Sequence, residues 1–262
     1  MRTNEVKAKL KRGEPVVGAW LNIPHISTAR IMARLGFDWL TVDAEHSAQH
    51  PGVVADMVGA IADAGTSAPL VRLPENSVDW VKWSLDAGAW GIIVPMINTR
   101  ADAEQAVSWA KYPPLGIRSI GGVFGPYGFG VSDSRSYAQQ ANDQIIVGVQ
   151  IESAQALENL DAIFTVPGID VAFVGPNDLH MQLGLPPSSE GAEPEFIAAL
   201  EKIKQAGQRH HMPLGMFCSS GEAAAHRIRE GFLMVSATSD ASCLINGASQ
   251  HLRAATSHKL TE

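Results

Sequence analysis

Short, mostly apolar segments alternate along this chain with longer segments whose apolar positions recur at helical spacing. The short segments lack the strict alternation of apolar and polar residues that marks a half-exposed strand, so they are typical of strands buried on both faces of a parallel sheet. The longer segments have the pattern of amphipathic helices that cover such a sheet. The chain is therefore predicted to be an α/β protein built from repeated strand–helix units.

Eight such units follow one another. The predicted strands are residues 16–21, 39–42, 69–73, 91–96, 145–151, 171–174, 213–218 and 232–236. The predicted helices are residues 25–35, 53–64, 78–87, 101–111, 154–164, 193–207, 222–230 and 241–257. Eight units most naturally close into a (β/α)8 TIM barrel, and a doubly wound open sheet is the alternative. We predict a single barrel domain over residues 1–262.

Residues 112–144 interrupt this repeat. The segment contains Tyr112-Pro-Pro-Leu-Gly116 and a run rich in glycine and aromatic residues over 121–130. A loop this long inside a compact domain is usually functional or disordered. Because it follows the fourth predicted strand, we predict a long active-site loop that forms a wall or lid. A surface loop without a role is the alternative.

Composition narrows the possible functions. The chain has 262 residues, 45% of them hydrophobic, and a net charge of −7 from 20 basic and 27 acidic side chains. The chain has no basic cluster, so nucleic acid is not expected as a partner. No run approaches the roughly 18 apolar residues of a membrane helix, and the charged amino terminus is unlike an export signal. Cys218 and Cys243 do not form a convincing pair, so we expect a cytoplasmic protein that handles small molecules.

Acidic and imidazole side chains follow three of the predicted strands. The three strings are Asp43-Ala-Glu-His46, Gln150-Ile-Glu152 and Gly175-Pro-Asn-Asp178. Such groups cannot be buried unpaired inside a sheet without a large desolvation cost. Because the carboxyl ends of barrel strands meet at one rim, we predict an active site there.

Glu152 and Asp178 are the candidate metal ligands. They lie about one strand–helix repeat apart, which indicates neighbouring strands. Two carboxylates without a Cys or His cluster suit a hard divalent ion such as Mg²⁺ or Mn²⁺. The alternative is that each carboxylate caps the helix that follows it. No lysine ends a predicted core strand, which argues against a Schiff-base aldolase and in favour of a metal.

Four further polar residues are candidates for substrate binding and proton transfer. His46 is the candidate base, with Asp43 three residues before it to fix its tautomer. Arg72 lies in an otherwise apolar strand, where it matches a substrate carboxylate or forms an internal ion pair with Asp or Glu. Gln150 lies on the same strand face as the second carboxylate of its string. Asp86, by contrast, has the pattern of an ordinary acid at a helix end.

Together these strings resemble the HpcH/HpaI family of metal-dependent pyruvate aldolases, and the similarity covers nearly the whole chain. The segments that carry it are Gly18-Ala-Trp20, Gly36-Phe-Asp-Trp39, Asp43-Ala-Glu-His46, Val71-Arg72, Leu85-Asp-Ala-Gly88, Val94-Pro-Met96, Tyr112-Pro-Pro-Leu-Gly-Ile-Arg118, Gln150-Ile-Glu152 and Gly175-Pro-Asn-Asp-Leu179. Any one of them alone is weak, but their number and order are specific.

The resemblance implies a role for each candidate. It implies that Glu152 and Asp178 bind Mg²⁺ or Mn²⁺, with Co²⁺ or Zn²⁺ as further choices, and that His46 and Asp43 form the base dyad. It also implies an acceptor-side acid at Asp86, contributed across a subunit contact. The substrate contacts that we expect are Arg72, Gln150, Asn177, Trp20 and Phe124. The family fold implies a (β/α)8 barrel whose eighth helix is exchanged with a neighbouring subunit, in a homo-hexamer built as a trimer of dimers.

The reaction that the resemblance implies is reversible cleavage of a 4-hydroxy-2-oxo acid to pyruvate, or a close 2-oxo acid such as hydroxypyruvate, and an aldehyde through a metal-bound enolate. Three alternatives remain open: an oxaloacetate decarboxylase or macrophomate-synthase-like enzyme, a CoA-ester lyase, and a non-catalytic 2-oxoacid-binding protein. The chain departs from the family pattern at Asn177, His180 and Ser119 and over residues 124–130. These departures leave the aldehyde acceptor undetermined.

Overall fold

Eight parallel strands pair in chain order and close into a barrel in the computed structural model of the protein, which describes residues 1–256. The last strand pairs with the first, so the sheet has no free edge. The strands are β1 (Val16–Leu21), β2 (Trp39–Asp43), β3 (Ala68–Arg72), β4 (Gly91–Val94), β5 (Ile146–Ile151), β6 (Val171–Val174), β7 (Leu214–Met216) and β8 (Met234–Ser239). The predicted (β/α)8 barrel is confirmed, and the doubly wound open sheet is excluded.

Helices cover the barrel and occupy several of its connections. They are α1 (Glu5–Lys11), α2 (Ile26–Met32), α3 (Pro51–Ala64), α4 (Val78–Asp86), α5 (Arg100–Ala110), α6 (Phe124–Gly128), α7 (Ser134–Gln144), α8 (Ala154–Glu158), α9 (Leu160–Phe164), α10 (Pro176–Gln182), α11 (Pro194–His210), α12 (Gly221–Arg229) and α13 (Asp240–Thr256). Every predicted helix has a counterpart among them. The last predicted helix extends to Ser257, which lies outside the described residues.

The helices that were not predicted are α1, α6, α7 and α10, and each of them buries no more than three residues. α1 begins after Asn4, whose side chain accepts a hydrogen bond from a backbone N–H of the first turn. α10 has seven residues and begins at Pro176, a favourable first helical position. The predicted helix 154–164 is divided at Asn159 into α8 and α9. Local capping, which apolar periodicity does not reveal, therefore sets these boundaries.

Segment 112–144, predicted to be a long loop, contains the two helices α6 and α7. Tyr137 of α7 is buried, and its ring lies 5.8 Å from that of Phe129 and 6.2 Å from that of Tyr112. The buried guanidinium of Arg118 lies 4.8 Å from the centre of the Tyr112 ring. The segment is packed because its own aromatic residues form a small cluster around this cation.

Aromatic side chains fill the barrel beneath its carboxyl end. Trp20, Trp39 and Phe173 pack edge to face, with ring centres 5.8 to 6.3 Å apart. Gly18 makes room for this packing, because a Cβ atom there would lie 2.0 Å from the Trp39 ring. Trp39 and Phe173 are almost fully buried. This apolar layer lies directly below the polar residues at the ends of the strands.

Helix α13 projects apolar side chains outward. Leu244, Ile245 and Leu252 each expose more than 60% of their surface, whereas Asp240 at the start of the helix is buried. The helix packs on β1 and β8. Its exchange with a neighbouring subunit, which a single chain does not test, stays a prediction.

Across residues 1–256, no helix is both long enough and apolar enough to cross a membrane. Within the same residues Cys218 is buried, Cys243 is exposed, and neither forms a disulfide.

Candidate active site

A cavity of about 310 Å³ opens at the carboxyl ends of the strands. It brings together eight of the ten residues predicted for the site, and Asp86 and Phe124 lie elsewhere. The lining residues are Trp20, Asn22, Asp43, His46, Arg72, Gln150, Glu152, Phe173, Gly175, Pro176, Asn177, Asp178 and Phe217. The rim position agrees with the general location of active sites in such barrels.

A buried ion pair joins β2 and β3 at one side of the cavity. Asp43 and Arg72 are partners in the register of the two strands. Arg72 Nε donates to Asp43 Oδ1 (2.9 Å), and Arg72 Nη2 donates to Asp43 Oδ2 (2.7 Å). The guanidinium also lies 4.6 Å from the centre of the Trp20 ring. The internal ion pair considered from the sequence is thus present, and the predicted contact with substrate stays a prediction.

Two residues near this pair were not singled out from the sequence. Asn22 Nδ2 donates to Asp43 Oδ2 (2.8 Å), which fixes the carboxylate from a third direction. Glu45 Oε2 lies 3.1 Å from Arg72 Nη1 without hydrogen-bond geometry. Burial raises the pKa of Glu45 to about 7 against the lowering effect of Arg72, and the charges of Asp43 and Asp178 raise it further. Asn22 could have been found from the sequence, because it too is a polar residue directly after a buried strand.

Glu152, which follows β5, also lines the cavity and is 2% exposed. Its Oε1 accepts a hydrogen bond from the Met96 N–H (2.7 Å), and its Oε2 accepts one from Gln150 Nε2 (2.5 Å). Burial raises the pKa of Glu152 to about 7, and the charges of Glu45 and Asp178 act in the same direction. The role of helix cap belongs to Ser153, whose side chain accepts from the Ala156 N–H. Capping therefore does not account for Glu152.

Asp178 lies in the first turn of α10, next to Asn177, and both side chains are exposed. No side chain caps α10 by a hydrogen bond, and Gly175 stands at its N-cap. A Cβ atom at Gly175 would lie 2.0 Å from Glu152 Oε2, so only glycine lets the helix start this close to the carboxylate. The turn therefore presents Asp178 to the cavity that also holds Glu152.

His46 lies at the mouth of the cavity, and its side chain is 58% exposed. Its backbone N–H donates to Asp43 Oδ1 (3.3 Å), whereas the carboxylate nearest its ring is Glu45, with Nε2 and Oε2 3.9 Å apart. Asp43 thus contacts His46 through the backbone in this structure. The dyad of Asp43 with the imidazole stays a prediction.

Asp86 and Phe124 lie outside this cavity. Asp86, at the end of α4, accepts a hydrogen bond from Arg118 Nη2 (2.8 Å). Phe124 is 64% exposed and lines a second cavity of about 410 Å³ beside α2, α3 and α6. No residue of segment 112–144 lines the first cavity, and the predicted role of this segment as a wall or lid of the active site stays a prediction.

Comparison with known proteins identifies the family. Residues 17–247 match the family model described as HpcH/HpaI aldolase/citrate lyase. The chain belongs to this family. The family predicted from the sequence motifs is therefore confirmed.

Several members of the HpcH/HpaI family are similar to the chain over nearly its whole length. A hydroxypyruvate/pyruvate aldolase of Rhizorhabdus wittichii is 36% identical over 94% of this chain and 96% of its own. A 4-hydroxy-2-oxo-heptane-1,7-dioate aldolase of Escherichia coli is 35% identical over 94% of this chain and 92% of its own. A family member from Burkholderia cenocepacia, known as a crystal structure, superposes with a TM-score of 0.88 at 34% identity, over 97% of this chain and 99% of its own.

The HpcH/HpaI family generally depends on a divalent metal ion. Within residues 1–256 no group of three or more His, Cys, Asp or Glu side chains is arranged to hold a metal. The two carboxylates of Glu152 and Asp178 nevertheless face one cavity, and Asp178 and Glu45 both raise the pKa of Glu152. Gln150 Oε1 is buried there without a hydrogen-bond partner. Among the described residues neither Glu152 nor Asp178 forms an ion pair with a lysine or arginine, whereas Asp43 and Glu45 both lie beside Arg72. Two carboxylates without a protein cation as partner fit a hard divalent cation completed by water and substrate oxygens.

Proposed function

We propose that this protein is a divalent-metal-dependent aldolase that reversibly cleaves 4-hydroxy-2-oxo acids to pyruvate, or a close 2-oxo acid such as hydroxypyruvate, and an aldehyde. The observation that carries the proposal is that one cavity holds the carboxylates of Glu152 and Asp178 together with the Asp43–Arg72 pair. The names of the aldolase relatives support the same reaction.

Glu152 and Asp178 are the residues that hold the metal ion in this proposal, with Glu45 as a third carboxylate close by. Mg²⁺ or Mn²⁺ fits two carboxylates best, because such ions keep several positions for water and substrate, and Co²⁺ or Zn²⁺ can replace them. When bound, the ion supplies a Lewis acid for the oxygens of the 2-oxo acid. Gln150 orients Glu152 through its amide N–H.

Arg72 binds the substrate carboxylate. Asp43 accepts from its Nε and from one N–H of Nη2, so the second N–H of Nη2 and those of Nη1, which lies beside Glu45 without hydrogen-bond geometry, remain to donate to the substrate. The bidentate pair and the Trp20 ring hold the guanidinium in one orientation before substrate arrives. A fixed positive charge at the place where negative charge develops lowers the barrier more than a mobile one, because no reorganisation is needed.

His46 moves the proton. In cleavage it takes the proton of the 4-hydroxyl group, through a water molecule, as the bond between carbons 3 and 4 breaks and the aldehyde leaves, and a proton then returns to carbon 3 of the enolate to give the methyl group of pyruvate. In the reverse direction it removes a methyl proton of pyruvate, and a proton is returned to the alkoxide that forms when the enolate adds to the aldehyde. Its exposed ring at the cavity mouth suits exchange of that proton with solvent. Asp43 supports His46 by accepting the backbone N–H of residue 46, which fixes the turn that carries the imidazole.

The active form is a homo-hexamer arranged as a trimer of dimers, with α13 packed on a neighbouring subunit. The exposed Leu244, Ile245 and Leu252 support this assembly, since apolar side chains aligned on one helix favour a protein contact. In the assembly Asp86 acts as an acid on the acceptor side of a neighbour's site, and Phe124 contributes to the wall of that site. Light scattering after size-exclusion chromatography tests the assembly, and a mass of one 28.0 kDa chain would contradict it.

A cleavage assay tests the proposed reaction. The purified protein is incubated with a racemic 4-hydroxy-2-oxo acid, and released pyruvate is reduced by lactate dehydrogenase, with Mn²⁺ or with EDTA. The proposal predicts pyruvate release with Mn²⁺ and its loss in EDTA, restored by Mn²⁺ in excess. A protein that decarboxylates oxaloacetate with Mn²⁺ but releases no pyruvate from any 4-hydroxy-2-oxo acid would be a decarboxylase instead.

A further inference from the structure

Residues 185–193, between α10 and α11, form a rim segment beside the cavity. Ser189 Oγ lies at the limit of hydrogen-bond distance from Asn177 Oδ1 (3.4 Å), and Asn177 lines the cavity. Glu190 Oε1 accepts from the Ser219 N–H (3.3 Å), two residues after Phe217, which also lines the cavity. The rim segment therefore spans the gap between the carboxyl ends of β6 and β7, at the mouth of the site.

A buried histidine fixes the distance of the rim segment from α10. His180 is fully buried, its ring stacks on Phe196 with centres 3.9 Å apart, and its Nδ1 donates to the Pro176 carbonyl (2.6 Å). Its Nε2 lies 3.3 Å from Glu193 Oε2. A Cβ atom at Gly191 would lie 2.0 Å from the same Nε2, so the backbone of the rim segment passes directly over the imidazole. His180 is thus a positioning residue that sets how closely residue 189 approaches Asn177.

The charges around the mouth restrict what can bind beyond the 2-oxo acid. Of the described residues that line the cavity, Arg72 is the one Lys or Arg, and it already contacts the carboxylates of Asp43 and Glu45. The carboxylate of Glu190 stands in the rim segment, 3.6 Å from Arg227 and otherwise directed at a backbone N–H. A second anionic group on the substrate would meet no Lys or Arg among these lining residues besides Arg72, which binds the first carboxylate in the proposed function.

We propose that the rim segment, held by His180, forms the acceptor side of the site and selects an uncharged, hydroxylated aldehyde over an aldehyde that carries a carboxylate. This inference rests on the proposed aldolase function. The amide of Asn177 and the hydroxyl of Ser189 supply the hydrogen bonds for the acceptor's hydroxyl groups. A second carboxylate is disfavoured because no described lining residue other than Arg72 carries a positive charge.

Two matched pairs of acceptors test the selectivity with the full-length enzyme, Mn²⁺ and pyruvate. Succinic semialdehyde and its methyl ester differ in charge, and propanal and D-glyceraldehyde differ in hydroxyl groups. The methyl ester should have a kcat/KM at least tenfold above that of the acid, and glyceraldehyde an acceptor KM at least fivefold below that of propanal. An acid as good as its ester, or propanal as good as glyceraldehyde, overturns the proposal.

A charge introduced into the rim segment provides the second test. Ser189→Lys should raise the ratio of kcat/KM for succinic semialdehyde to kcat/KM for its methyl ester at least tenfold. Gln205→Lys, the same change of charge on the exposed face of α11, should alter neither value. Failure of Ser189→Lys to favour the acid, or an equal effect of Gln205→Lys, overturns the placement of the acceptor beside residue 189.

His180→Asn tests the positioning role, because an asparagine amide can still donate to the Pro176 carbonyl while nothing remains beneath Gly191. The acceptor KM should rise at least fivefold, and exchange of pyruvate methyl protons with D₂O should stay within twofold of the unmodified protein. A loss of proton exchange that parallels the rise in acceptor KM, or no change in either quantity, overturns the role of His180. Absence of metal-dependent proton exchange in the unmodified protein would instead defeat the aldolase proposal itself, and this inference with it.

Discussion

Asp43 and Arg72 stand opposite each other in the β2–β3 register and share two hydrogen bonds, of 2.9 and 2.7 Å. The carboxylate is 1% exposed and Asn22 holds it from another side. The guanidinium is therefore fixed at the edge of the cavity by the strand pairing itself. An arginine held this way is prepared to bind a carboxylate without first losing side-chain freedom.

Replacing Arg72 by lysine should show how much of its effect on activity comes from its positive charge and how much from the shape of the guanidinium group. Lysine keeps the positive charge but loses the fork that binds Asp43 and a substrate carboxylate together. We expect kcat/KM for pyruvate proton exchange to fall roughly ten- to hundredfold, the effect of losing a charge-assisted hydrogen bond of about 1.5–3 kcal/mol. Arg209→Lys, at an exposed ion pair with Asp161, is the matched control and should change nothing. Equal activity of Arg72→Lys and the parent would remove Arg72 from the substrate site.

Metal binding and proton transfer should depend on different residues. Glu152→Ala removes a proposed ligand and should abolish Mn²⁺ binding, measured by electron paramagnetic resonance. His46→Ala should leave Mn²⁺ affinity within threefold and lower turnover at least a hundredfold, the scale of general acid–base catalysis. Equal loss of metal in both variants would contradict this division of roles.

The affinity for metal should increase with pH through neutrality. The pKa values of Glu152 and Glu45 are raised to about 7, chiefly by burial, so below pH 7 protons compete with the ion for these carboxylates. The Kd for Mn²⁺, measured by calorimetry from pH 5.5 to 8.5, should fall steeply up to about pH 7.5 and then level off. A Kd independent of pH would contradict the proposed ligands.

The same raised pKa values have a consequence for the stability of the metal-free protein. A carboxyl whose folded pKa lies above its unfolded value of about 4.5 binds protons more tightly when folded. Its stabilising contribution is complete below pH 4.5 and is lost as the pH rises to about 7. Between those values Glu152→Gln should therefore lose less stability than the parent, measured as the midpoint of thermal unfolding in EDTA. A parallel decline in both proteins would show that Glu152 does not titrate there.

Gly175 should be indispensable for the geometry of the metal site. Gly175→Ala introduces a Cβ 2.0 Å from the undisplaced Glu152 Oε2, so the carboxylate or the start of α10 must move. We expect Mn²⁺ affinity to fall at least tenfold and the free energy of unfolding to fall by about 1–3 kcal/mol, as for other overpacked positions. Gly59→Ala in α3, where no atom lies within 4 Å of the new Cβ, is the control and should keep full affinity. Normal affinity in Gly175→Ala would contradict the proposed site.

The barrel could be predicted because its strands are buried on both faces, so that apolar runs such as 171–174 stand out regardless of the details of packing. The rim location of Asp43, Glu152 and Asp178 followed from the same rule, since parallel strands end together. The sequence left two partners open for Arg72, a substrate or an internal carboxylate. The β2–β3 register decides that Asp43 faces it, and a register is not visible in apolar patterning.

Other features depend on contacts that local patterns do not encode. Segment 112–144 is rich in glycine, yet Tyr112 and Tyr137 enclose Arg118 and order it. Asn22 and Glu45 acquire their importance only from the closure of the barrel around Asp43 and Arg72. Asp86, predicted by resemblance, pairs with Arg118 within its own chain, and its proposed catalytic role depends on a second subunit.

The most direct test of the central claim is the exchange of pyruvate methyl protons in D₂O, followed by nuclear magnetic resonance without any aldehyde. The proposal predicts rapid exchange with Mg²⁺ or Mn²⁺, none in EDTA, and recovery when the metal is restored. Mn²⁺ is paramagnetic, so that sample is quenched and its metal removed before the spectrum is recorded. Pyruvate that binds to the metal-loaded protein yet keeps all its methyl protons would contradict the aldolase mechanism and favour a binding protein or a lyase acting on another substrate.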